Sequence, residues 1–168
     1  YSQYAETWGT MDLNQDYKAI HWMQENIQGS PVIVEANLRN LYRWGSRYTI
    51  YTGLPAVVGW EWHQQQQRAV LPGSLVSGRI AEVDEFYLTT DWDKARAFLR
   101  KYNVGYVIVG QQERGHYGSQ SLPITPGTTG GEPLPPGVGL EKFTLAEGVL
   151  WRAVYQDGDT VIYEVIQE

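Results

Sequence analysis

Two short β-branched runs limit what this chain can fold into more than any other feature: Val32-Ile33-Val34-Glu35-Ala36 and Gly105-Tyr106-Val107-Ile108-Val109. Both read as strands. The stretch between them carries helical patterns. Arg79 to Leu88 places Ile80, Val83, Phe86 and Tyr87 on one side, and a helix opened by Asp91 or Asp93 runs to about Tyr102 with Ala95, Phe98, Leu99 and Tyr102 as its stripe. Strands joined through helices form a crossover unit, so the two are expected to be parallel.

The flanks complete the plan. Residues 1–13 read as an extended lead-in. A helix follows from about Asn14 to Ile27, with Ile20, Met23 and Ile27 on one face, an Asp12/Gln15 capping box or Asn14 as its start, and Gly29 and Pro31 as its stop. Tyr48 to Thr52 is expected to be a short strand turned by Gly53-Leu54-Pro55. Glu61 to Arg68 is expected to make two helical turns, and Leu71 to Gly78 to be a loop. Residues 115–139 are rich in Gly, Pro, Ser and Thr and read as a long flexible loop, either a disordered insertion or a lid. Leu140 to Phe143 is expected to be a short helical turn. Val149 to Tyr155 and Thr160 to Ile166 then read as strands of a hairpin turned at Asp157-Gly158. The expected fold is a single α/β domain over residues 1–168: a central mixed, partly parallel sheet flanked by helices, in three layers or fewer, with a C-terminal β-hairpin.

Ligands in open α/β sheets gather beyond the carboxyl ends of the strands. Glu35 ends the first run, and Glu113 and Arg114 follow the second, so all three are candidate site residues. For Glu35 the alternative is a solvent-facing carboxylate paired with Arg39 or Arg43. The segment Arg47 to Arg68 is the other candidate. It crowds Trp60, Trp62, His63, Gln67 and Arg68 into a stretch broken by Gly53, Pro55 and Gly59. Flat indoles beside amides and guanidinium groups suit sugars, lipid head groups or a protein partner. An irregular loop whose tryptophans cover the core is the alternative. Arg47 to Arg68 and the Gln111 to Arg114 end are expected to be neighbours in space.

Composition narrows the function. A formal net charge of -6 argues against a nucleic-acid binder, which would need a basic face. Seven tryptophans and twelve tyrosines against three phenylalanines favour a surface that is half dry and half wet. With no cysteine, thiolate metal sites, disulfides and cysteine nucleophiles are ruled out. His21, His63 and His116 have no metal-ligand spacing, so no metal is expected. No Walker A sequence, dinucleotide glycine motif or Gly-x-Ser-x-Gly elbow occurs, and no cofactor is expected. Glu61 and His63 are the best acid–base pair, and they would share a face only in an extended segment. The chain opens at Tyr1 without methionine or leader and holds no apolar run near the ~20 residues of a membrane helix, as expected of a fragment from a longer protein.

Several stretches resemble a known family. D-x-x-A-I-x-W-M-Q-E-N at residues 16–26, P-V-I-V-E-A at 31–36, S-R-Y-T-I-Y-T-G-L-P-A-V-V-G-W-E-W-H-Q-Q-Q-Q-R at 46–68, residues 86–114 and V-I-Y-E-V at 161–165 resemble the C-terminal part of the YYY-domain membrane proteins. These are polytopic proteins of bacteria and archaea, similar at a distance to the GT-C type membrane glycosyltransferases that use lipid-linked sugar donors. In that group the catalytic acidic residues lie in loops between membrane helices, so none carries over to this chain. The resemblance implies an extracytoplasmic soluble domain of a multi-pass, cell-membrane protein. Its partners would be the transmembrane part of the same polypeptide and a glycan or lipid-linked sugar; no nucleic acid is expected. The domain would bind acceptor or glycan, or dock on the membrane half, without catalysing transfer alone. Two alternatives stand beside it: a free-standing carbohydrate-binding module, and a hydrolase using Glu61 or His63.

Overall fold

The structure, a computed structural model, describes residues 2–5, 9–38, 44–59, 74–121 and 134–167. An antiparallel ribbon of β1 (Ser2–Ala5) and β2 (Gly9–Asp12) leads into α1 (Leu13–Asn26) and β3 (Val32–Val34). A 3-10 turn (Trp44–Ser46) runs straight into α2 (Arg47–Thr52), and α3 (Ser74–Leu88), α4 (Trp92–Tyr102) and β4 (Val104–Val109) complete the crossover. The chain continues through α5 (Gln111–Tyr117) and α6 (Val138–Leu145) to β5 (Trp151–Asp157) and β6 (Thr160–Val165). The main sheet has the order β3-β4-β6-β5. β3 and β4 are parallel, as a crossover requires, while β4–β6 and β5–β6 are antiparallel. The sheet is therefore mixed and ends in a hairpin. Gly158, at φ +58, takes the left-handed turn position between β5 and β6.

Alternation along the strands sends successive side chains to opposite layers. Ile33, Ile108 and Ile162 face α1 and α2, where Ala19, Ile20, Met23, Tyr48 and Leu54 cover them. Val34, Val107, Val109, Val161 and Tyr163 face the other way, against α3, α4 and α6, and join Phe86, Tyr87, Phe98, Phe143 and Trp151 in the larger core. That core is aromatic: Phe86 stacks on Phe98 at 4.6 Å between ring centroids, and Tyr87 stacks on Tyr117 at 4.6 Å. Three layers result.

Caps explain where α4 begins and ends. Asp91 accepts from the backbone N–H groups of Asp93 and Lys94, which makes it, and not Asp93, the cap of α4. Asn103 closes the same helix in the left-handed region, φ 48.

Three expectations are corrected. The short strand expected at Tyr48 to Thr52 is the helix α2. Its β-branched residues favour a strand, but the end of β3 caps its amide groups and Gly53, in the left-handed region, closes it through a bond to the Thr49 carbonyl. Strand-like pairing comes slightly later: the Ile33 N–H donates to Pro55 and the Val57 N–H donates to Ile33. Second, α3 begins at Ser74, inside the stretch expected as a loop to Gly78. Val76, Ile80 and Val83 form one buried stripe that carries the helix through exposed Gly78. Third, residues 115–139 are not one loop. α5 extends to Tyr117 and α6 begins at Val138; residues 122–133 lie outside the described residues.

Candidate functional site

Because β3 and β4 are parallel, their carboxyl ends open on the same side of the sheet. Glu35 is the first residue past β3. Gly110 follows β4, and Glu113 stands in the first turn of α5. Arg47 opens α2 from above and enters the gap between them. Its side chain and that of Glu113 are fully buried, and Glu35 and Asp16 are 4% and 6% exposed. Arg47 Nη2 lies 3.1 Å from Glu113 Oε2 and donates through Nη1 to Oε1 at 3.4 Å. Its Nε lies 2.8 Å from Asp16 Oδ2, an ion pair whose N–H is not aligned as a hydrogen bond, and Nη1 lies 3.8 Å from Glu35 Oε2. The guanidinium carbon sits 4.7 Å from the centre of the Tyr48 ring.

Two of the three carboxylates also hold backbone. Glu113 accepts from the Ala36 and Gly110 N–H groups, both at 2.9 Å, which ties the ends of both parallel strands to α5. Glu35 accepts from the Tyr48 and Thr49 N–H groups, both at 3.1 Å, and so caps α2 from another element. Asp16 accepts from the Tyr48 hydroxyl at 2.9 Å. Gly110 is closely approached: a Cβ there would stand 3.2 Å from the Thr160 hydroxyl and 3.3 Å from both Arg47 Nη2 and Glu113 Oε2.

Glu35, Glu113 and Arg47 differ electrostatically. Burial pushes the Glu35 carboxyl up to about 7, only partly offset by Arg47 and the two amide donors. Burial acts on Glu113 in the same direction but loses to the guanidinium and the backbone donors, so its pKa is lowered. Arg47 is pulled below its ordinary value by burial and above it by Glu113 and Asp16, and the carboxylates win. The cluster thus carries one firm positive charge and at least one firm negative one.

The cluster is reached from outside by a groove of about 610 Å³ between α1 and α2. Asp16 and Arg47 line its floor. Leu13, Tyr17 and Ile20 of α1 and Tyr51 of α2 form its walls, with Asn14, His21 and Gln24 among them. That volume is in the usual range for a small-ligand site. Tyr17 and Tyr51 are 64% and 50% exposed, and Ile50 beside them is exposed as well. The Gln24 amide donates to the Tyr51 carbonyl at 2.6 Å and links the two helices. Tyr17 OH and His21 Nε2 lie 3.0 Å apart.

Of the residues expected at the site, the structure brings Glu35, Arg47 and Glu113 together. Glu35 is not the solvent-facing carboxylate of the alternative reading. Arg114 stands apart: it is exposed, and its Nε donates to the Asp159 carbonyl at 2.9 Å, away from the cluster. Trp60, Trp62, His63, Gln67 and Arg68 lie outside the described residues, as do Arg39, Arg43 and the Glu61/His63 pair. Sequence reasoning missed Asp16, Tyr17, Gln24 and Tyr51. Asp16 carried a usable signal: it falls on the buried stripe of α1 with Ala19, Ile20 and Met23, where a carboxylate demands a partner.

No protein-family model matches the chain, and no curated protein matches it. Solved structures do. One structure of the C-terminal globular domain of oligosaccharyltransferase from Archaeoglobus fulgidus is 17% identical, superposes with a TM-score of 0.54, and aligns over 93% of this chain and 100% of its own. A second structure, of the C-terminal globular domain of oligosaccharyltransferase from the same organism, is 18% identical over 94% and 99% of the two chains, with a TM-score of 0.46. At this identity the first likeness is one of fold: the chain shares, over nearly its whole length, the fold of an oligosaccharyltransferase C-terminal globular domain.

Proposed function

We propose that this chain is an extracytoplasmic domain of a multi-pass membrane protein of glycosyltransferase type, and that it handles acceptor or glycan next to the membrane half. The observation that carries this reading is the end-to-end fold match, in which the whole of the other domain is accounted for. The resemblance to YYY-domain proteins points the same way from the sequence. Among the described residues no helix is long and apolar enough to cross a membrane, so the spans would belong to another part of the polypeptide. The exposed Tyr17, Ile50 and Tyr51 give the groove a rim suited to a partner surface or a sugar. By their chemistry Trp60 and Trp62 would add stacking surface, and His63, Gln67 and Arg68 hydrogen bonds.

A labelling experiment on the full-length parent tests the placement. The chain lacks cysteine, so Ser119→Cys at an exposed position, in a parent freed of other cysteines, gives one reporter. The expected result is reaction with a membrane-impermeant maleimide in intact cells. Reaction only after permeabilisation, or a parent gene without hydrophobic spans, defeats the proposal.

A further inference from the structure

The groove between α1 and α2 distinguishes among the chemical groups that a lipid-linked sugar and its acceptor would offer. A phosphate or pyrophosphate is disfavoured by the floor. Arg47 is its cation, and all three guanidinium nitrogens face carboxylates of the protein: Nε faces Asp16, and Nη1 and Nη2 face Glu113. Against that single positive charge stand Asp16, Glu35 and Glu113. Even with Glu35 protonated, the sum is not positive. An anion would meet a cation already paired within the protein and a carboxylate in its path.

A purely apolar chain is disfavoured by Asp16. A carboxylate offers about four acceptor positions. The described partners of Asp16 are the Tyr48 hydroxyl and Arg47 Nε. A hydrocarbon lying over it would strip water from the remaining positions and return nothing. The groove therefore calls for donors. A peptide brings them, but it brings an equal number of carbonyl acceptors. Of the donors lining the groove, Gln24 is committed to the Tyr51 carbonyl and Arg47 to its carboxylates, and Tyr17 OH and His21 Nε2 face one another. A sugar hydroxyl can donate to Asp16 and accept from water or a neighbouring hydroxyl, so it meets the floor without a deficit. The C–H face of a pyranose ring also suits the exposed rings of Tyr17 and Tyr51, which are apolar on the face and polar at the tip.

We propose that the α1–α2 groove is a subsite for a neutral sugar residue, with Tyr17 and Tyr51 against the sugar ring and Asp16 accepting from its hydroxyls. The assignment rests on the glycan-handling reading above and narrows it to the uncharged part of the glycan.

Titration of the 168-residue chain followed by 1H–15N NMR tests it with four probes: N,N′-diacetylchitobiose, α-1,2-mannobiose, pyrophosphate and a neutral Ser/Asn-rich octapeptide. The expected result is saturable movement of the Tyr17, Gln24 and Tyr51 amides and the Arg47 Nε–H with at least one disaccharide, and none with pyrophosphate or peptide. Tyr17→Ala and Tyr51→Ala should each weaken that binding about tenfold. Both side chains are exposed, so the unfolding midpoint should not move. Asp16→Asn should abolish binding, but it also touches the buried cluster, so the tyrosine variants carry the test. Silence to both disaccharides overturns the assignment, as does movement of these signals by pyrophosphate or peptide instead, or sugar binding indifferent to both tyrosines. Failure of the parent reading looks different: sugar would still bind the groove while the labelling experiment failed.

Discussion

Arg47 ties Asp16 of α1 to Glu113 of α5 and stands close to Glu35. It crosses from the α1–α2 layer to the carboxyl ends of both parallel strands, and it is fully buried in doing so. A buried ion pair adds little beyond a well-packed apolar replacement, but removing one member leaves the others uncompensated. Arg47→Met should therefore lose about 3–5 kcal/mol of stability in urea unfolding. Arg47→Lys should fail to restore it, since an ammonium cannot meet Asp16 and both oxygens of Glu113 with a planar fork. A loss below ~1 kcal/mol for the methionine variant would mean that the cluster relaxes freely. Gln112 presents the opposite case. Its side chain is fully buried, and among the described residues neither its amide nitrogen nor its oxygen has a hydrogen-bond partner. An unmet buried polar atom costs about 1–3 kcal/mol. Gln112→Leu should raise the unfolding free energy by a similar amount, and a destabilised variant would reveal a contact of that amide formed in solution.

At the scale of elements, long periodic segments were legible and short ones were not. The stripes of α1 and α4 and the β-branched runs of β3 and β4 each carry enough residues for one period to dominate. α2 has six residues, and its local preference is for strand. What makes it helical lies 13 and 14 residues away, in the Glu35 carboxylate on the Tyr48 and Thr49 amides, and no local window contains that contact. The start of α6 shows a similar long-range dependence. Gly139 presses on the end of α3, where a Cβ would stand 2.3 Å from the Leu88 carbonyl oxygen and 2.6 Å from that of Tyr87. No flexible side chain is there to give way. Gly139→Ala should push α6 off α3 and cost about 1–3 kcal/mol, read as a lower midpoint in thermal unfolding followed by circular dichroism. Gly78→Ala in α3 serves as the control: its Cβ would meet open space, and removing glycine from a helix interior should stabilise by about 0.5–1 kcal/mol.

For the whole molecule, the sequence sufficed to expect a mixed sheet with a parallel pair and a C-terminal hairpin, because each follows from connection length and turn chemistry. Through the rule about carboxyl ends of parallel strands it also pointed to Glu35, Glu113 and Arg114, of which Arg114 stands apart from the cluster, while Arg47 entered only as the first residue of the Arg47 to Arg68 segment. It could not show that these ends are closed by ion pairs and that the accessible space lies beside them, because that depends on how α1 and α2 pack. Two buried groups, Glu35 below α2 and Lys142 between α6 and α3 on the other face of the sheet, should shape stability in opposite directions through their protonation. Glu35 has a pKa raised from an ordinary 4.5 to about 7, so between those values the folded state holds a proton that the unfolded state has released. Its contribution is complete below pH 4.5 and is lost as pH rises through 7, a change of about 3 kcal/mol. Lys142 is the reverse. Burial lowers its ammonium from 10.5 to about 7, while its Nζ donates to the Tyr87 and Gly139 carbonyls, both at 2.8 Å, against the Phe86 and Phe143 rings. Between pH 7 and 10.5 the unfolded state binds the extra proton, so stability climbs with pH over that range. Glu113, with a lowered pKa, acts below 4.5, and the buried Tyr48, Tyr87 and Tyr117, with raised ones, act above 10. The unfolding free energy should therefore pass through a minimum near pH 7 and rise toward both pH 5 and pH 9. Glu35→Gln should flatten the acidic limb alone, and Lys142→Met the alkaline limb alone, in urea titrations across that range. A single broad maximum near neutrality, unchanged by either substitution, would show that both groups keep their ordinary protonation in the folded chain.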